Sequence, residues 1–180
     1  MRFSYYDRLS SARQRIYRES DAIEVLELPA GTSVIASVSA IRDGLLRENP
    51  AETQRGCQAL LDALVSGFSI PPVRVRVLAR RPSGSYGELH GLYEPSEENP
   101  PARITVWMRT VQRKQVVAFR SFLRTLVHEF LHHLDYEHFK LPETFHTEGF
   151  YKRESSLAKA LFAQLDPATT LNAAVQTPDQ

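Results

Sequence analysis

His128 and His132 are four residues apart, and Glu129 directly follows the first of them. On an α-helix a spacing of four places both imidazoles on one face, one turn apart, where they can bind a single metal ion. Three-ligand sites of this kind hold Zn²⁺ and leave a coordination position for water. Glu129, beside the first imidazole, is then positioned to take a proton from that water instead of binding the metal. This is the H-E-x-x-H arrangement of zinc hydrolases, most of them metallopeptidases. A purely structural metal site has no use for Glu129, so its presence favours catalysis.

The third ligand must come from outside this pair. The available side chains are His90 upstream and His133, Asp135, His138, His146, Glu148 and Glu154 downstream. His133 is about 100° around the helix from His132, and His138 falls on another face again. Asp135 lies three residues past His132, suited to holding a ligand's outer nitrogen or to sitting on the helix surface. His146 is the best-placed candidate: fourteen positions after His132, it leaves room for the chain to turn at Leu141-Pro142 and return just before a further helix. Glu154 and Glu148 are the competing carboxylate ligands, because imidazole and carboxylate are both acceptable to zinc. Tyr151 and Arg153 are candidates for a second electrophile or a substrate contact, against a plainer reading as surface residues of the last helix.

The elements that would carry these side chains follow from periodicity. Apolar residues recur at helical intervals over 115–138, which predicts one long, largely buried helix around the motif. Upstream, 2–20 is weakly helical, 23–28 is either a short strand or a helix end, and 34–47 and 51–65 are helices, with Pro50 as the break and Gly67 as a C-terminal cap. Residues 73–77 alternate strictly, as a half-buried strand does, and 86–93 and 103–108 are further strands. The last helix starts near Thr147 and carries Phe150, Leu157, Leu161 and Phe162. The fold expected is α+β: a three-stranded or slightly larger mixed sheet packed on the H-E-x-x-H helix, with flanking helices. One domain should span 1–165, helical over 1–68 and with sheet and catalytic residues over 70–165, followed by a flexible tail at 166–180.

Composition narrows the function classes. The 180 residues are 42% hydrophobic and 24% charged, ordinary for a globular protein, and the net charge of +1 gives no argument for nucleic acid or membrane as partner. Arg2, Arg8, Arg13, Arg15 and Arg18 make the N-terminus locally basic, as a solvated helix face would be. The single Cys57 excludes an internal disulfide and a cysteine-rich zinc site, and its apolar setting suits a small core residue. With no signal-like or membrane-spanning run, a cytoplasmic protein is expected.

With His128-Glu-Phe-Leu-His132 followed by His146-x-x-x-Phe150, the chain resembles the SprT-like and WLM-type zinc metallopeptidases over about residues 70–162. That resemblance implies a zincin-like fold, one Zn²⁺ per chain held by His128, His132 and His146, Glu129 as general base, and hydrolysis of a peptide or protein substrate. Thr147 stands where a glycine often follows the third histidine in those families, and the cysteine-rich zinc ribbon of some members has no counterpart here. The alternative is a catalytically silent or latent module of the same fold that binds a protein partner, its cleft covered by 1–20 or by 166–180. For a peptidase, substrate would pair with an edge strand. Residues 103–108, the strand nearest the helix in sequence, are the expected edge, with Trp107 either lining the cleft or plugging the core.

Overall fold

The computed structural model describes residues 3–80, 91–96, 101–109 and 115–165. Over these residues the chain is α+β, with five α-helices and a three-stranded mixed sheet. Two expectations, His90 and the tail at 166–180, lie outside the described residues. Among the described residues no helix is long and apolar enough to cross a membrane.

A single 3-10 turn (Tyr6–Arg8) leads into helix α1 (Ser11–Ala22), whose N-terminus is capped by the Ser10 hydroxyl. Residues 23–28 form neither strand nor helix. They run extended against the last helix, where Ser156 Oγ accepts from the Leu26 amide and donates to the Leu26 carbonyl. Helix α2 (Ile35–Leu46) packs on α3 (Pro50–Phe68). Pro50 begins α3 at its first position, with the Asn49 side chain accepting from the Ala51 and Glu52 amides. Gly67 is not the cap of that helix. Ser69, at φ 54°, ends it in the left-handed region, while Gly67 remains inside the helix against Pro29 and Thr32.

The sheet has the order β1–β3–β2, built from β1 (Arg74–Arg80), β2 (Gly91–Glu94) and β3 (Arg103–Arg109). β1 runs parallel to β3, with Val75 opposite Ile104 and Val77 opposite Val106; β2 runs antiparallel, with Tyr93 opposite Ile104. This corrects the expectation for 103–108. β3 is the central strand, paired on both sides and buried over five consecutive residues, as a strand covered on both faces must be. Trp107 is buried within it.

The outer edge of β1 is already occupied. Gln58 Oε1 accepts from the Val75 amide at 2.9 Å, and Gln54 Oε1 from the Val77 amide at 3.0 Å. One turn of α3 thus stands in for a neighbouring strand and blunts that edge. β2 is the other edge among the described residues, and helix α4 (Phe119–Glu137) packs against it and against β3. Helix α5 (Glu148–Ala163) lies on α4, and α1 lies on α5. The main core joins α2 to α5 with the sheet; Tyr6, Tyr17 and Phe145 form a smaller aromatic cluster under the loop that precedes α5.

Candidate metal centre

Helix α4 has its apolar stripe against the sheet, with Phe122, Leu123, Leu126, Phe130 and Leu134 essentially buried. That packing fixes its rotation and turns His128 and His132 toward the α5 side. The chain then leaves α4, passes Leu141-Pro142, and delivers His146 one residue before Thr147. The Thr147 hydroxyl accepts from the Phe150 amide and so caps α5. A threonine at this position therefore serves the start of the helix.

The three imidazoles converge. His146 Nε2 lies 2.9 Å from His128 Nε2 and 3.1 Å from His132 Nε2, and the three offer ligand atoms all within 4.8 Å of one another. Nitrogens bound at about 2.1 Å in tetrahedral geometry are about 3.4 Å apart, so the three rings are close enough to hold one ion between them. The Phe150 ring backs all three, with centroids 4.9–5.2 Å from theirs.

Hydrogen bonds at the far nitrogens set which atoms carry lone pairs. His128 Nδ1 is 2.9 Å from Glu154 Oε2, and the carboxylate can only accept, so Nδ1 carries the proton. His132 Nδ1 is 2.8 Å from Thr144 Oγ1, and that hydroxyl donates its one proton to Asp135 Oδ2 at 2.7 Å. Thr144 must therefore accept from Nδ1–H. In both rings the Nε2 lone pair is left facing the common point, as metal ligation requires. A cation among them, or an Nε2–H of His146 shared with the other two rings, relieves the repulsion of lone pairs brought this close. Burial and the neighbouring His128 and His146 push His132 down to about 3, and burial likewise lowers His146, so neither ring supplies that charge by taking up a proton. The donor set fits a divalent transition metal.

These placements correct three sequence expectations and refine that for Asp135. Glu154 is not among the converging atoms: one of its oxygens holds His128 and the other accepts from Arg124 at 3.1–3.2 Å. Burial alone would raise its carboxyl, but the hydrogen bonds from His128 and Arg124 hold it below the ordinary value. Glu148 faces away and pairs with Lys152 in the first turns of α5. Asp135 reaches His132 through Thr144, not directly. Arg153 is no surface electrophile, because it is 0% exposed and its Nη2 pairs with Asp135 Oδ1 at 2.9 Å. Its guanidinium also donates to the Ser20 and Ile23 carbonyls, both at 2.6 Å. Burial pushes the Asp135 carboxyl up and Arg153 down, each against the pull of its partner.

The other histidines lie elsewhere. His133 is a satisfied core histidine, with Nε2 donating to the Pro71 carbonyl at 2.9 Å and Nδ1 accepting from the Tyr93 hydroxyl at 3.1 Å. His138 packs on Phe68 and Phe139. Tyr151 is 42% exposed and stacks beside His146, centroids 6.0 Å apart.

Glu129 lies under β2, beside Gly91 and Tyr93. It is 7% exposed, and burial pushes its carboxyl up to about 7, against the pull of His128 and of a backbone hydrogen bond from Tyr93. The strand accommodates it only because residue 91 is glycine: a Cβ there would fall on the carboxyl group, 2.7 Å from Glu129 Cδ. Glu129 and the three imidazoles line one cavity of about 550 Å³, whose remaining walls include Gly91, Tyr93, Arg124, Tyr136 and Thr144. Among the described residues of the N-terminal segment, from Phe3 on, none lines it. That segment stands behind the third histidine instead. Tyr5 Oη donates to the His146 carbonyl at 2.8 Å, Arg13 pairs with Glu143, and Tyr17 packs on Phe145.

Gly91, Thr144 and Tyr5 escaped the sequence reading. Nothing local distinguishes Thr144 or Tyr5 from other hydroxyl residues. Gly91, inside an apolar run, carried the usual signal of a close backbone approach. Compared with family models, with curated proteins and with solved structures, the chain gives no match in any of the three.

Proposed function

We propose that this chain is a zinc-dependent peptidase that hydrolyses peptide bonds, with His128, His132 and His146 holding the ion and Glu129 as general base. The observation that carries the reading is one cavity lined by three converging imidazoles and the Glu129 carboxyl, beneath an edge strand. The resemblance to SprT-like and WLM-type metallopeptidases points the same way, through the same four residues. Three imidazoles, two of them with outer nitrogens anchored toward carboxylates, are a set that zinc favours.

When bound, the ion supplies Lewis acidity, which makes water a usable nucleophile near neutral pH and polarises a carbonyl. The chain's own part is positioning and proton transfer. β2 offers backbone groups to an extended peptide, the recognition mode that asks least of side chains. Glu129 lies under that strand, where its carboxylate can take the proton of the attacking water and hand it to the departing amine. A carboxyl shielded from solvent is suited to both steps, because its affinity for the proton lies close to neutrality.

The test is metal content and casein cleavage measured together on wild type and Glu129→Gln. Expected are about one zinc per chain in both proteins and cleavage by the wild type alone. Zinc in both with cleavage in neither would replace the peptidase with the silent partner-binding module, and absence of metal in both would sink the site.

A further inference from the structure

Four residues at four-residue spacing run along the cleft side of α4: Arg124, His128, His132 and Tyr136, and all four line the cavity. The two ends differ in kind. At the Arg124 end the guanidinium is committed to Glu154. At the Tyr136 end the wall is aromatic. Tyr136 stacks on Tyr93 with centroids 6.1 Å apart and planes 22° apart, and Tyr93 stacks on His132 at 6.2 Å and 25°. Tyr93 is fixed in this position by its hydroxyl, which is tied to the buried His133. Leu92, 39% exposed, lies on the same rim with Pro95.

We propose that Tyr93 and Tyr136 form a subsite for one aromatic or large aliphatic side chain of a peptide lying along β2, beside the scissile bond. This rests on the peptidase reading of the same cleft. An extended peptide advances about 3.3 Å per residue and turns alternate side chains to one face. One helical turn from His132 to Tyr136 covers about 5.4 Å. With a carbonyl held between Glu129 and the three imidazoles, the flanking side chain that faces α4 therefore falls over Tyr136. A preformed aromatic wall, with the Tyr93 hydroxyl already tied to His133, is what selects a large apolar side chain. A carboxylate placed there would lose water and meet the negative faces of two rings.

The experiment has a hydrolysis arm and a binding arm. In the first, cleavage sites in casein are mapped by mass spectrometry, and kcat/KM is measured for two synthetic hexapeptides that differ only by Phe or Ala at the enriched position. The wild type is expected to favour Phe by about tenfold or more. Tyr136→Ala should bring that ratio to within about threefold of unity, and Tyr136→Phe should keep it. In the second arm, which needs no cleavage map, two fluorescently labelled hexapeptides with Phe or Ala at a central position are titrated into zinc-loaded Glu129→Gln and into Glu129→Gln with Tyr136→Ala. A Phe preference in the first protein that disappears in the second upholds the subsite even if the wild type hydrolyses nothing, in which case it is the peptidase reading that fails. Hydrolysis with no large apolar preference, a preference untouched by Tyr136→Ala, or no binding of either peptide overturns the subsite. Tyr136 is half-exposed near the end of α4, so its replacement by Ala leaves the helix intact.

Discussion

His128 and His132 share one helix, whereas His146 is delivered by the loop between α4 and α5, and the two halves of the site are held in different ways. The helical pair is placed mainly by α4 itself, through a spacing of four and an apolar stripe against the sheet, with Phe150 of α5 behind the rings. The third imidazole depends on partners far away in sequence. Tyr5 holds its carbonyl, Arg13 holds Glu143, and Tyr17 supports Phe145. One half is local and survives as long as α4 does. The other exists only when the N-terminal segment is docked. Arg153 joins them, reaching from α5 to Asp135 on α4 and to the carbonyls that end α1.

The largest expected effect follows from that junction. Arg153→Met leaves Asp135 buried without its cation and the Ser20 and Ile23 carbonyls without their donor. Breaking one side of a buried pair costs about 3–5 kcal/mol, a large part of a small domain's stability. A thermal melt should show a loss of roughly ten degrees or more. If Arg153→Met melts within about two degrees of wild type, the junction does not hold the halves together.

A second substitution separates catalysis from both halves. Gly91→Ala should drive the Glu129 carboxyl out of its place under β2 while leaving the three imidazoles where they are. Misplacement of a reacting group by about 1 Å costs on the order of a hundredfold in rate. Casein cleavage should therefore fall by about that factor, with zinc content unchanged in the same sample. Loss of zinc along with activity would show that the strand supports the ligands as well.

The local half was also the legible half. The spacing of His128 and His132, the long apolar helix around them and the strict alternation at Val73, Val75 and Val77 are short-range signals, and each corresponds to an element of the structure. Loop length made His146 the best placed of several candidates without settling it against Glu148 and Glu154, and the structure brings it to the other two. Which carboxylate serves which imidazole was not legible, because it depends on how α5 is rotated on α4: Glu154 and Asp135 carry the same chemistry in sequence and reach different rings. Nor was the order of the strands. The nearest strand in sequence proved central, because Gln54 and Gln58 occupy the β1 edge and β2 inserts beside the helix. Arg153 looked exposed because a lone arginine on a polar helix face usually is; only the two carbonyls at the end of α1 explain its burial.

The outer hydrogen bonds allow a finer comparison inside the helical half. Glu154→Gln removes the charge behind His128, and Thr144→Val cuts the link from His132 to Asp135. Each should weaken zinc binding by about 10–100-fold, measured by competition with a chromogenic chelator. Glu154→Gln is expected to have the larger effect, because its carboxylate bonds the ring directly while Asp135 acts through a hydroxyl. The reverse order would place the decisive charge on Asp135.

The smallest effect bears most directly on the loop half. Tyr5→Phe removes one hydrogen bond, from the Tyr5 hydroxyl to the His146 carbonyl, and leaves the ring in its place against Tyr17. Such a bond contributes about 1 kcal/mol, so zinc affinity should drop by about fivefold if the bond positions His146. The fall must vanish when His146→Ala is already present, since a clamp on an absent ligand can hold nothing. Amide exchange should rise over 143–147 and stay unchanged within α4. Faster exchange along α4 as well would mean that the two halves loosen as one, and the distinction between a local pair and a docked third ligand would be lost.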